Sequence, residues 1–160
     1  MDETTWLESR EITPDKIAAA RLILEDGRRR EDVLRATHQH PLPGSGGMVA
    51  KHVLVTVYRQ LVASGEWSPD PTMLARIRMK PMRTLSGVTT VTVLPRPHPC
   101  PGRCIFCPDD ARMPKSYLPD EPGAARAFQN QFDPFAQVRS RLESYEAVGH
   151  PTDKIELLIL

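Results

Sequence analysis

The apolar positions of this chain repeat at two different periods, and the change falls near residue 80. From Thr13 onward, Ile17, Ala20, Ile23 and Leu24 recur three and four apart, the spacing that gathers side chains on one face of a helix. Thr13 offers a capping hydroxyl, Pro14 suits a first turn, and Gly27 predicts the end of that helix. A short helical segment over Glu31–Thr37 is expected next, then a loop from His40 to Gly47. The glycines of that loop are irregular and no Lys-Ser/Thr follows them, which excludes a phosphate-cradling P-loop. Val49, Val53, Leu54, Val57, Tyr58 and Leu61 predict a further helix before Gly65, against the β-branched content of the stretch. Another short helix is expected over Asp70–Arg78. Residues 1–80 therefore read as a helical domain whose apolar stripes are core.

After Lys80-Pro81 the pattern becomes that of strands. Val88-Thr-Thr-Val-Thr-Val-Leu94 is rich in β-branched residues and predicts a strand. A long polar loop follows, then helical signals from about Gly123. Asp133 and Pro134 form an N-cap and first-turn pair for a helix reaching Gly149, with Phe135, Val138, Leu142 and Tyr145 predicted on its packed face. Lys154-Ile-Glu-Leu-Leu-Ile-Leu160 predicts a second strand. Strand, helix, strand is a parallel βαβ unit over residues 81–160. Two parallel strands cannot cover both their faces, so the fold class expected is α/β: a helical domain followed by the opening part of a larger barrel, with the chain its front portion.

Composition and charge then narrow the chemistry. The chain has 160 residues, ordinary hydrophobic content and no apolar run of membrane-spanning length or signal-peptide layout. Its net charge of +1 conceals a division: residues 71–118 carry +6, residues 1–70 carry −2 and residues 119–160 carry −3. A polyanion is expected to dock where Arg76, Arg78, Lys80, Arg83, Arg96, Arg103, Arg112 and Lys115 concentrate, unless they form only a solvated face. Aromatics are few there, so no base-stacking platform is predicted.

Within that basic stretch lie the chain's three cysteines, Cys100, Cys104 and Cys107, spaced C-x3-C-x2-C. Three is too few for a closed structural zinc site and odd for a disulfide framework. It suits a 4Fe-4S cluster with three irons held by protein and one open. The alternatives are a zinc knuckle completed by His98 or His150, and a disulfide with a spare thiol. Pro99, Pro101 and Pro108 stiffen the loop, Gly102 permits close approach of bulky sulfide, and Phe106 is expected to shield the thiols from water. Unpaired thiols point to a reducing, cytoplasmic setting.

The spacing and Phe106 resemble the radical S-adenosylmethionine (SAM) signature, C-x3-C-x-aromatic-C. In that superfamily the open iron binds SAM, whose reductive cleavage yields a 5′-deoxyadenosyl radical. Lys80-Pro-Met-Arg-Thr-Leu-Ser-Gly87, the cysteine loop, Lys115-Ser-Tyr-Leu-Pro-Asp-Glu-Pro122, Phe132-Asp-Pro-Phe135 and Gly149-His-Pro-Thr-Asp-Lys-Ile-Glu156 follow in one order. Together they resemble the catalytic subunit of Elongator in its bacterial or archaeal form, closely over residues 76–160 and more loosely before.

The resemblance implies carboxymethylation at C5 of the wobble uridine (U34) of tRNA, with a carbon unit from acetyl-CoA and radical chemistry from SAM. It implies that Cys100, Cys104 and Cys107 hold the 4Fe-4S cluster, that Phe106 lies near SAM, and that Lys154 meets acetyl-CoA. Lys80 and Arg83 are expected to contact RNA phosphates, and residues 1–80 to contribute tRNA binding. The partners implied are the tRNA anticodon loop, acetyl-CoA and an electron donor, with a homodimer of the parent protein as one assembly. The family continues into a SAM-binding glycine segment, the rest of a barrel, a zinc-binding linker and an acetyltransferase-like domain. On this reading the 160 residues alone bind a cluster poorly and do not catalyse. Another radical SAM enzyme, such as a methylthiotransferase or coproporphyrinogen oxidase relative, is disfavoured by the Lys80–Gly87 and Asp133-Pro134 segments; a non-catalytic zinc- or tRNA-binding module is the remaining alternative.

Overall fold

The structure, a computed structural model, describes residues 11–108 and 110–160. The chain divides into two compact units, Met1–Pro81 with Ala147–His150, and Met82–Glu146 with Pro151–Leu160.

The first unit is helical. Helix α1 spans Pro14–Arg30, α2 Val33–Gln39, α3 Lys51–Ala63 and α4 Pro71–Ile77. Three of these start on side chains that satisfy free N–H groups: Thr13 accepts from Lys16, Asp32 from Arg35, and Asp70 from Thr72 and Met73. Helix α1 does not stop at Gly27 as its sequence predicts. It runs to Arg30 and ends on Glu31 at a left-handed φ of 58°. Gly27 is buried for a packing reason: a Cβ there would stand 3.1 Å from Val33 Cγ2 and 3.2 Å from Val33 Cα. The glycine thus sets how closely α2 turns back on α1. Ile23 and Leu24 of α1, Val53, Leu54 and Val57 of α3, and Met73 and Ile77 of α4 form one core. Each such side chain fully withdrawn from water contributes about 1.5–3 kcal/mol. The Tyr58 hydroxyl donates to the Asp70 carbonyl at 2.9 Å and accepts from the Asp70 N–H at 2.6 Å, fixing α3 to the start of α4. The β-branched run of α3 is therefore helical because tertiary burial outweighs a weak local preference.

The second unit is mixed. A 3₁₀ turn over Pro81–Thr84 leads to β1, Thr89–Val93; then come α5, Pro122–Gln129, α6, Pro134–Ala147, and β2, Ile155–Ile159. The strands pair parallel, with Thr89 opposite Ile155 and Val93 opposite Ile159. The predicted βαβ unit is present, with two helices in its crossover. Asp133 caps α6 as expected, accepting from Ala136 N–H at 2.7 Å. The packed face of that helix matches the prediction at Tyr145 and differs from it at Phe135 and Gln137. Phe135 is exposed, and Gln137 and Tyr145 are buried. Both bond to the backbone of β1 or its end: Tyr145 Oη to the Thr90 carbonyl at 3.2 Å, and Gln137 to both backbone groups of Leu94. Polar anchoring, which residue type alone does not announce, fixes the rotation of α6. A small core of Leu94, Met113, Ala124, Ala127 and Phe132 sits at that strand end. No helix among the described residues is long and apolar enough to cross a membrane.

Candidate functional site

The cysteine loop leaves the last residue of β1, and its starting point is held unusually well. Leu94 N–H donates to Gln137 Oε1 at 3.1 Å, and Gln137 Nε2 donates to the Leu94 carbonyl at 2.9 Å, both out of water. One side chain thus satisfies both backbone groups of the residue at which the strand gives way to the loop. Sequence reasoning missed Gln137, because its partner lies 43 residues away.

From there Cys100, Cys104 and Cys107 reach one cavity of about 320 Å³, shared with Gly102, Arg103 and Lys115. All three are free thiols, two exposed and Cys107 half-buried. The Gly102 N–H donates to Cys100 Sγ at 3.4 Å. A Cβ on Gly102 would stand 3.5 Å from Cys100 Sγ and 3.7 Å from Cys104 Sγ, filling space between the two sulfurs. Ser116 Oγ lies 3.4 Å from Cys107 Sγ.

Among the described residues no three His, Cys, Asp or Glu side chains converge as ligands of one metal ion. In a cubane cluster each thiolate takes its own iron, so the sulfurs stand apart around a void. Three thiols on one cavity, with no side chain at Gly102 beside two of the sulfurs, fit that donor set. His98 lines a neighbouring cavity of about 300 Å³ with Asp110 and Lys115, and His150 is buried in the first unit.

Phe106 corrects one expectation. Its ring is 93% exposed and shields nothing. The cause is local: Cys107 N–H donates to the Cys104 carbonyl at 3.2 Å, so Ile105 and Phe106 are the corner residues of a turn and both point outward.

The remaining predicted residues do not gather on the thiols. Lys154 is exposed and precedes the first paired residue of β2, its carbonyl accepting from Thr89 N–H at 2.9 Å. The cysteine loop departs from the other end of the same ladder, about 16 Å along for five residues. Lys80 is exposed in the first unit with a left-handed φ of 51°, and Arg83 is exposed in the second. Arg112 is committed locally: its guanidinium grips the Asp110 carboxylate at 2.7 and 3.0 Å and holds that acid down to about 2.

Two cations that the charge division overlooked sit with Arg83, because they belong to the acid-rich stretch after residue 118. Arg126 has its pKa lowered by burial, then by the like charges of Arg141 and Arg83. Arg141 lies 4.1 Å from the centre of the Tyr145 ring and donates to its hydroxyl at 2.8 Å. The spacing of Arg141 and Tyr145, four apart on one helix, was the available signal.

The class that fold and site define is an α/β protein with a parallel βαβ unit whose first strand leads into a loop carrying three free thiols on one cavity. Known proteins give the class a lineage. No family model matches the chain. It is 49% identical over 90 residues to a protein of Methanocaldococcus infernus named tRNA uridine(34) acetyltransferase, covering 52% of this chain and 17% of that protein. A protein of the same name from Dehalococcoides mccartyi is 49% identical over 78 residues, covering 49% and 17%. Elongator complex protein 3 of Drosophila melanogaster is 36% identical over 99 residues, covering 55% and 18%. Over about half its length, then, this chain is homologous to a segment of the Elongator catalytic subunit, and it spans about a sixth of the length of the relatives it matches.

Proposed function

We propose that this chain supplies the cluster-holding front part of a tRNA wobble-uridine (U34) modifying enzyme of the radical SAM type, which attaches a carboxymethyl unit derived from acetyl-CoA to C5. The observation that carries the reading is the three-thiol cavity at the carboxyl end of β1, in a chain related to proteins named for action on tRNA uridine 34. Ligands grouped beyond the carboxyl end of a parallel strand follow the general rule for α/β folds, and a partial barrel is the architecture this reading requires.

Cys100, Cys104 and Cys107 hold the 4Fe-4S cluster as thiolates, and the Gly102 N–H donates to the first of them. When bound, the cluster supplies the electron that cleaves SAM to a carbon radical, a reagent able to functionalise a C5 position that is a poor acid and bears no leaving group. The outward ring of Phe106 is available to the SAM adenine, and its present exposure means that the ligand would cover it. Lys80 and Arg83 meet tRNA phosphates, with Arg126 and Arg141 adding charge beside Arg83. Phosphate contacts of this kind position the RNA without reading bases. Lys154 meets acetyl-CoA, where an ammonium pairs with a phosphate or polar oxygen. The lysine stands at the opposite end of the ladder from the cysteine loop. The setting is the cytoplasm, an electron donor is required, and a homodimer is one assembly open to the whole enzyme.

Anaerobic reconstitution of the chain with iron and sulfide tests the reading. Equal iron and sulfide uptake, below one cluster per chain and with broad visible absorbance lost in Cys104→Ala, is the expected result. Stoichiometric zinc binding by the same thiols without iron uptake would overturn it in favour of a zinc module.

A further inference from the structure

Opposite the cysteine loop, the chain makes a tight turn at Lys115 and Ser116 whose form the fold alone does not require. Tyr117 N–H donates to the Pro114 carbonyl at 3.2 Å, closing a β-turn with Lys115 and Ser116 at its corners. Ser116 takes φ of +76°, the sign a type II turn needs at its third position and one usually met by glycine or asparagine. A serine in that conformation is an outlier, and outliers of this kind cluster at working sites. What the serine gains over glycine is its hydroxyl, and the hydroxyl lies 3.4 Å from Cys107 Sγ. The other corner residue, Lys115, lines the cavity of the three thiols. One turn therefore brings a hydroxyl to Cys107 Sγ and a lysine to the cavity that the three thiols line.

We propose that the Lys115–Ser116 turn is a positioning element that raises the reduction potential of the cluster held by Cys100, Cys104 and Cys107; this rests on the cluster reading above. A thiolate has no proton to give, so with metal bound the Ser116 hydroxyl is the donor and Cys107 Sγ the acceptor. Reduction adds one electron, taken from a low-potential donor that is oxidised by one electron, and no bond forms or breaks. The added negative charge strengthens both the O–H···S bond and the attraction to the Lys115 ammonium, so both favour the reduced state. Hydrogen bonds to sulfur and net charge are two of the levers that set cluster potentials. Arg103, within the loop itself, adds to the same field.

The test is an anaerobic potentiometric titration of the reconstituted chain with dithionite and mediators, followed by electron paramagnetic resonance of the reduced cluster. Ser116→Gly keeps the turn, since glycine prefers its backbone, and removes only the hydroxyl. Lys115→Gln removes the charge, and Lys115→Arg restores it. Ser116→Gly and Lys115→Gln should each lower the reduced-to-oxidised ratio at the wild-type midpoint, together by about tenfold, or about 59 mV for one electron. Lys115→Arg should return to the wild-type value. If wild type takes up no iron, the cluster reading itself fails and the proposal with it. If wild type holds a cluster but Ser116→Gly and Lys115→Gln each leave that ratio within about twofold, the tuning role is overturned while the cluster stands. Loss of iron from both variants with retention in Lys115→Arg would make the turn an assembly element, and would equally overturn tuning.

Discussion

Strands β1 and β2 have the same length and pair in full register, β1 rich in β-branched and β2 in aliphatic side chains, yet their surroundings differ entirely. Every other residue of β1 is buried, with Val91 at 0% exposure, while all five residues of β2 are exposed, with Leu157 at 51% on the same rung as Val91. The difference lies in what each strand rests on. Helix α6 delivers Tyr145 to Thr90 and Gln137 to Leu94, fixing β1 along its length, whereas beyond Thr90, whose hydroxyl meets Glu156, β2 is held mainly by ladder hydrogen bonds. Hydrophobic composition therefore marks which residues favour burial, and neighbouring elements decide which obtain it. The anchored strand is the one that launches the cysteine loop.

The largest effect is expected where that anchoring is a single side chain. Gln137→Leu preserves volume and removes both partners of the Leu94 backbone, leaving two buried groups unsatisfied at about 1–3 kcal/mol each, less whatever water recovers. A fall in stability of about 2 kcal/mol or more in denaturant titration is expected, with reduced iron retention by the thiols. A variant as stable as wild type would show that β1 does not depend on this clamp.

The shared rung gives a direct comparison of the strands. Val91→Ala removes buried methyl groups at about 0.8 kcal/mol each plus a cavity cost, about 2 kcal/mol in all. Leu157→Ala, its neighbour on β2, should change stability by less than about 0.5 kcal/mol. Equal losses in the two would mean that β2 is buried in solution.

These contrasts also mark what the sequence made legible. Two helix starts were readable because capping is local: Thr13 and Asp133 act within three residues of themselves. The parallel ladder followed from the period change and the β-branched run. The three thiols were readable as one donor set because the eight residues Cys100 to Cys107 cannot carry them far apart. What was not legible depended on distant partners or on orientation. Gln137 finds Leu94 across 43 residues, and the face of α6, read correctly at Tyr145, was misread at Phe135 because apolar type pointed there while polar anchoring turned Gln137 inward. Phe106 was expected to cover the thiols, but the turn closed between Cys104 and Cys107 swings it out.

The approaches to the two strands should differ toward RNA as well. Lys80→Ala with Arg83→Ala removes charge ahead of β1, and each lost phosphate contact should reduce the slope of log affinity against log salt by about 0.7 for single-stranded RNA. Lys154→Ala, immediately before β2, should leave that slope unchanged, since its proposed ligand is acetyl-CoA. Transfer-RNA affinity at three salt concentrations for the three proteins decides the matter. An unchanged slope in the double variant would make the basic stretch a solvated face.

The smallest effect separates the two units by acid. Each holds one arginine-clamped aspartate. Asp26 accepts from Arg29 at 2.6 Å and Arg30 at 2.7 Å, and these bonds pull it from 3.8 to about 2; Arg112 does the same for Asp110. A depressed folded-state pKa stabilises the fold wherever the carboxylate is ionised in both states, so the contribution is complete above about pH 4 and lost as pH falls toward about 2. Asp26 lies on α1, whose residues Ile23 and Leu24 belong to the core of the first unit, so losing its charge is communicated to that whole core. Asp110 ties down only its own loop beside Met113. Asp26→Asn should therefore lower the melting temperature at pH 7, with the gap to wild type closing between about pH 4 and pH 2. Asp110→Asn should scarcely move the melting temperature at any pH and should instead speed proteolysis within the cysteine loop. A gap for Asp26→Asn that persisted unchanged at pH 2 would show that the loss at neutral pH came from packing and not from the charge.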